Sequence, residues 1–303
     1  MSGSSTEPLG ATALALVAAV VTMVAAAGDA SAGPWVKEPG EVYAKLSGSH
    51  FRAVGTYDRA GEPMDPNYTY SHVGARLYAD IGVVPDVGVS VSLPYLVSKN
   101  ALENSGAEYI KRGLGDLDLA AEYGTTYGQL ALSGQLKVRL PLYPETISAN
   151  AAAPNSLSDE ELERRRFIPA LGDGSVDLTP RLQLGVSLHP FPGWVTAAVG
   201  PKFRFQGFGH ALSWAVSGGA FVLPERLAFT VRAGGLQRFQ GGNRRPTKSY
   251  LQLSGGTIVR IAGGVSLEAS AGSLPVGAFV SKGWSVTGGV SFDGRLFPNP
   301  WKE

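Results

Sequence analysis

Between Tyr127 and Pro141 the chain reads YGQLALSGQLKVRLP, and the character of its side chains alternates almost without exception. Leu130, Leu132, Leu136, Val138 and Leu140 fall on one parity; Gln129, Ser133, Gln135, Lys137 and Arg139 fall on the other. A strand sends successive side chains to opposite faces, so this segment has one apolar face and one polar face that carries the charges of Lys137 and Arg139. A tilted transmembrane strand needs about 9–11 residues, which this segment supplies. It is therefore either a half-buried strand of a soluble sheet or one stave of a barrel whose outside meets lipid.

The same pattern recurs along the chain and predicts twelve amphipathic strands, at 41–52, 69–83, 86–98, 113–124, 127–141, 173–189, 194–207, 209–222, 226–240, 247–261, 263–272 and 284–295. The spacing between them decides in favour of the membrane. Alternate connections are long, at 53–68, 99–112, 142–172, 241–246 and 273–283, with a short exception near Phe208. The intervening ones are tight, as at Val84-Pro85, Thr125-Thr126, Pro190–Gly193, Pro224-Glu225 and Ala262. Long loops at one end and short turns at the other characterise outer-membrane barrels, and a soluble sandwich has no reason to sort its loops this way. The predicted fold class is all-β: a transmembrane up-and-down antiparallel β-barrel of about twelve strands. On the apolar parity, Phe229, Phe239, Trp284 and Phe292 sit near strand ends, where interfacial aromatic girdles belong.

Composition agrees. Charged residues make up 17% of the 303, against about 25% in soluble domains, and 40 are glycine. No run after residue 27 approaches the roughly 18 apolar residues of a helical span. The absence of cysteine excludes thiolate catalysis and cysteine-ligated metal centres. A net charge of +1 lacks the basic footprint that nucleic acid requires. At the N-terminus, the apolar run Ala11–Ala27 and the A-x-A site Ala30-Ser31-Ala32 predict a signal peptide over 1–32 and a barrel domain over 33–303. The n-region departs from the pattern in carrying Glu7 and no Lys or Arg, and a retained anchor is the alternative.

Several short motifs carry a family resemblance. Gly113-Leu114-Gly115-Asp116-Leu117-Asp118-Leu119 resembles the GxGDxxL segment of outer-membrane barrels of the MetA-pathway phenol-degradation-like (transporter-like) family. Gly33–Val42-Tyr43 resembles their N-terminal entry, Val87–Tyr95 their third strand, and Gly172–Pro180 (GDGSVDLTP) a later GxGSxDxTP element. The resemblance implies an outer-membrane location and passage of hydrophobic or aromatic compounds. It also marks a departure: such barrels end on an aromatic residue, whereas Pro298–Glu303 follow Phe297 here, so an insertion signal would be internal, within Gly289–Phe297.

The polar parity supplies the candidate lumen: Arg76, Asp80, Asp116, Asp118, Glu122, Lys137, Arg139, Asp177, Arg181, Lys202, Arg204, Arg232, Arg260 and Glu268, with Lys45 beside them. Acids dominate the second to fourth predicted strands and bases the seventh to tenth, which predicts opposite charges facing each other across the barrel. Such a lumen is either a polar conduit or a plug of salt bridges, since buried charges are tolerated only when paired. Segment 156–166, SLSDEELERRR, has a capping box at Ser158 and Glu161 and predicts a helix in the longest loop. That helix and the Arg244-Arg245 pair are either solvated or turned toward anionic lipopolysaccharide.

No arrangement of an enzyme stands out. His50, His72, His189 and His210 lack metal-ligand spacing, and Ser49 and His50, as strand neighbours, point to opposite faces. The expectation is a non-enzymatic barrel without cofactor or metal, partnered by outer-membrane lipid, lipopolysaccharide and a small solute, and not by nucleic acid. Passive passage of that solute leads; a structural or partner-docking barrel and a lipid-modifying enzyme are the alternatives.

Overall fold

The computed structural model describes residues 33–103, 105–143, 167–239, 248–299 and 301. The proposed signal segment, the 156–166 helix and the Arg244-Arg245 pair lie outside them. The described chain forms a closed, antiparallel, up-and-down barrel of twelve staves. In chain order the strands are β1 (Glu41–Tyr57), β2 (Pro63–Met64), β3 (Tyr68–Val84), β4 (Val87–Leu102), β5 (Glu108–Leu114), β6 (Asp116–Tyr127), β7 (Leu130–Pro141), β8 (Asp177–Ser187), β9 (Gly193–Arg204), β10 (Ala211–Leu223), β11 (Leu227–Arg238), β12 (Ser249–Ala262), β13 (Val265–Ala278) and β14 (Ser281–Arg295). The two-residue β2 is a loop hairpin on β1. Strands β5 and β6 are two halves of one stave along β4, with the register moving by one residue at Gly115. Pairing of β1 with β14, from Glu41↔Arg295 to Thr56↔Ser281, closes the barrel and removes both sheet edges.

The twelve predicted strands are all present, but two of the predicted long loops are not. Strand β4 runs on to Leu102 and β5 begins at Glu108, while β13 and β14 meet in a tight turn at Phe279-Val280. These extensions stand beyond the apolar band, where Lys99 and Glu108 pair on the outer face, so an apolar alternation cannot detect them. The long connection at 142–176 remains.

The barrel is inverted relative to a soluble protein. On the outward parity, Leu46 (61% exposed), Leu132 (49%), Leu182 (65%) and Val231 (66%) form part of a continuous apolar belt. Its inward neighbours Lys45, Ser133, Asp177 and Lys202 are buried. A belt of this extent is not sustained in water and marks the surface that meets hydrocarbon. Phe229, Phe239, Trp284 and Phe292 all lie on it, exposed, near the strand ends.

Candidate functional site

Every one of the sequence-predicted lumen residues lies on the inward parity of its strand, as the ladder registers show. Their pairings differ from the sequence expectation. Opposite charges meet mainly along the wall, between adjacent staves, and not across the barrel. Arg139 donates twice to Asp118, at 2.7 and 2.9 Å, and Lys137 reaches the same carboxylate at 2.9 Å, joining β6 to β7. Asp177, 1% exposed, takes Lys202 at 2.8 Å and Arg204 at 3.4 Å, joining β8 to β9. The physical reason is the ladder itself: residues directly opposite on neighbouring strands lie about 4.5–5.5 Å apart, closer than any across-lumen pair. Lys45 and Glu268, at 2.6 Å, span two staves, and Tyr43 donates to the same Glu268 at 2.5 Å.

The returning end of the long loop folds into this charged wall. Phe167 stacks on Tyr109 at the loop end of the barrel, and its carbonyl accepts a 2.8 Å hydrogen bond from Asn100. Farther in, Leu171 lies over Gly113 and Gly115; a Cβ at Gly115 would come within 3.0 Å of its carbonyl oxygen. Tyr143 donates to Asp116 at 2.8 Å and accepts from the Gly174 backbone at 2.7 Å. Ser175, fully buried, donates to Asp177 at 2.7 Å and accepts from Arg204 at 2.9 Å. Asp173 receives Lys248 at 2.6 Å, and that lysine above all holds its carboxyl well below the usual carboxylate range. Thus the GLGD and GDGS segments, far apart in sequence, interlock inside the barrel. Their glycines admit the opposing chain and their acids hold it.

A second element enters from the turn end. Residues 33–39 run along the inner wall as a strap, crossing a trough of inward glycines. Val36 lies over Gly88 and Gly124, Pro34 and Trp35 over Gly185, and the Lys37 and Glu38 carbonyls over Gly82. A side chain at any of Gly82, Gly124 or Gly185 would collide with the strap. Lys37 is tied to Asp293 at 2.9 Å, and Arg295 to Glu38 and Glu41 at 2.8 and 2.9 Å. Sequence reasoning missed this element; the glycines at the turn ends of β3, β4, β6 and β8 were its only trace.

Among the described residues, strap and loop pack mainly against β3–β9, with ties to Asp293 and Arg295 of β14 and to Lys248 ahead of β12, and the rest of the opposite wall is little covered. Along β10–β14 the inward positions are mostly small: Ser213, Ala215 and Ser217, then Thr230 and Gly234, Ser254 and Gly256, Ser266 and Ser270, Thr287 and Ser291. Beside that wall a vestibule of about 900 Å³ opens at the turn end. A cavity of about 150 Å³ lies toward the loop end, and both are lined by Arg232 and Ser254.

Ser49 and His50 stand on opposite faces of β1, as expected of strand neighbours. Ser49 faces inward and His50 outward, where its ring sits 5.5 Å from Trp284. Asp116 and Asp118 share a face but are engaged by Tyr143, Arg139 and Lys137. Among the described residues no group of acids and histidines has the arrangement of a metal site.

No family model and no curated protein matches the chain. Solved structures do. The COG4313 outer membrane channel from Pseudomonas putida F1 superposes with a TM-score of 0.65 at 10% identity, covering 89% of this chain and 99% of that one. The beta domain of the Bordetella autotransporter BrkA gives 0.51 at 14% identity, covering 85% and 100%. A channel and an autotransporter domain share this architecture, so the likeness establishes an outer-membrane barrel fold and leaves function to the lumen.

Proposed function

We propose that the protein is an outer-membrane channel that passes a small solute passively along the β10–β14 wall. The observation that carries this reading is the meeting of the vestibule and the upper cavity at Arg232 and Ser254, beside a wall of small side chains. Twelve staves enclose more space than the side chains of eight can fill and less than the aqueous bore of sixteen. Among the described residues the surplus is divided: strap, loop and ion pairs occupy one side, and the vestibule and upper cavity lie beside the other. The solute would cross a narrow, polar constriction at Arg232. In this reading residues 1–32 direct export, outer-membrane lipid surrounds the apolar belt, and lipopolysaccharide borders the long loops. The resemblance of the GLGDLDL and GDGSVDLTP motifs adds hydrophobic or aromatic compounds as candidate solutes.

Planar-bilayer recording of the purified barrel tests the proposal. Discrete conductance steps are expected, and Ser254→Trp should reduce them several-fold by filling the constriction. A folded barrel that neither conducts nor carries solute into liposomes would favour the alternative of a non-transporting, partner-docking barrel, for which the strap and inward loop speak.

A further inference from the structure

Charge is unevenly spread over the outer face of the barrel. The outward positions of β6–β13 carry no charged side chain, since the acids and bases of those strands all fall on the inward parity. On the arc β1–β5 four outward charges stand together: Arg52 on β1, Lys99 on β4, and Glu108 and Arg112 on β5. The registers set them near one level. Arg52 lies opposite Trp284 on one side and Ser71 on the other, Ser71 opposite Lys99, and Lys99 opposite Ile110. Arg112 lies two residues farther toward the belt, opposite Val97. Neighbouring strands stand about 4.8 Å apart, so Arg52 and Lys99 are about 10 Å apart and Arg112 is one strand beyond.

Lys99 is paired with Glu108, but Arg52 and Arg112, both exposed, make no side-chain hydrogen bond or ion pair among the described residues. Their neighbours on the outer face are apolar and exposed: Val73, Val97 and Ile110, with Leu77 below them. Trp284, level with Arg52, sits where interfacial aromatics belong. An arginine at the edge of hydrocarbon lays its stem on the apolar surface and carries its charge to the headgroups, where an anion answers it. Asp65 and Glu103 line a cleft of about 270 Å³ on the loop side of Arg52, which leaves the membrane side of the arginines to that anion. A ligand that suits both surfaces has phosphate groups, which accept the paired N–H donors of a guanidinium, and acyl chains, which lie on Val73, Val97 and Leu77. We propose that the outer face of β1–β5 is a binding site for the phosphates of lipid A, the membrane-embedded part of lipopolysaccharide, with Arg52 and Arg112 as its principal donors and Lys99 between them. The site is separate from the lumen and rests on the preceding reading only for placing the long loops on the outside of the cell.

Native mass spectrometry of the purified barrel titrated with bis-phosphorylated lipid A tests the site without requiring any current. Saturable binding of one lipid A per barrel is expected, with phosphate-free lipid A and phosphatidylglycerol each held more weakly. The double variant Arg52→Gln, Arg112→Gln should lose about tenfold or more in affinity, since each change removes a charged donor. Arg226→Gln, in the turn between β10 and β11, should leave binding unchanged. The gel shift of heat-modifiable barrels checks that every variant is folded. Absence of saturable binding, equal affinity for phosphate-free lipid A or phosphatidylglycerol, native affinity in the double variant, or an equal loss in Arg226→Gln would overturn the site. A barrel that conducts but holds no lipid A sinks this inference alone. One that holds lipid A but does not conduct sinks the passage and leaves the site standing.

Discussion

The inner faces of β6–β9 and of β10–β14 belong to one continuous sheet, yet they solve different problems. The first carries Asp118, Lys137, Arg139, Asp177, Lys202 and Arg204, linked from stave to stave and packed under the loop and strap. The second presents mostly serine, threonine, glycine and alanine, with Arg232, Arg260 and Glu268 among them, to the vestibule. On the first wall a side chain is held by its neighbours; on the second it has little to hold. Charge on the inner face of a barrel therefore does not by itself mean a conduit, and the proposed passage follows the side where charge is sparser.

That difference can be broken at its strongest point first. Asp177→Ala leaves Lys202 buried without its carboxylate and Arg204 with Asp173 alone, at 3.5 Å, and should cost about 3–5 kcal/mol. Ser270→Ala on the bare wall should stay within about 0.5 kcal/mol. Urea unfolding followed by the gel shift of heat-modifiable barrels measures both; equal losses would mean that the walls are not energetically distinct. On the outer face the contrast should vanish. Leu132→Arg on β7 and Val231→Arg on β11 should each cost about 2–4 kcal/mol near the midplane, because both sides meet the same hydrocarbon. A cost near zero at either position would put that stave outside the membrane. A smaller effect sharpens the role of the strap. Gly185→Val should cost about 1–3 kcal/mol by overpacking Pro34 and Trp35, and it should raise conductance as the strap is displaced. Lowered or unchanged conductance in the folded variant would show that the strap does not obstruct the turn end.

The strands were legible because inside and outside differ in polarity at every second residue, a signal that Leu130 to Leu140 repeats with Ala131 and Gly134 as its two exceptions. Their full lengths were not: beyond the apolar band, Lys99 and Glu108 are strand residues whose outward faces are polar. The lumen set was readable as a parity but not as a network, since parity says which way Asp118 points and not that Arg139 lies directly opposite it in the next stave. The interlock of Gly115 with Leu171 and the seat of the strap on Gly124 and Gly185 are contacts distant in sequence. A glycine that makes room for another segment looks, in one sequence, like any other glycine. The bare wall was hidden for the same reason, because serine and glycine at inward positions carry no pattern of their own.

The native absence of cysteine makes the central claim directly measurable. Single cysteines placed by Ser270→Cys on the bare wall and Ser133→Cys on the charged wall, where Ser133 is 2% exposed, can be challenged with a membrane-impermeant thiol reagent during bilayer recording. The account predicts rapid modification of the Ser270→Cys protein with a stepwise fall in conductance, and little or no change in the Ser133→Cys protein. Equal reactivity at both positions, or block at Ser133→Cys alone, would place the passage elsewhere and contradict it.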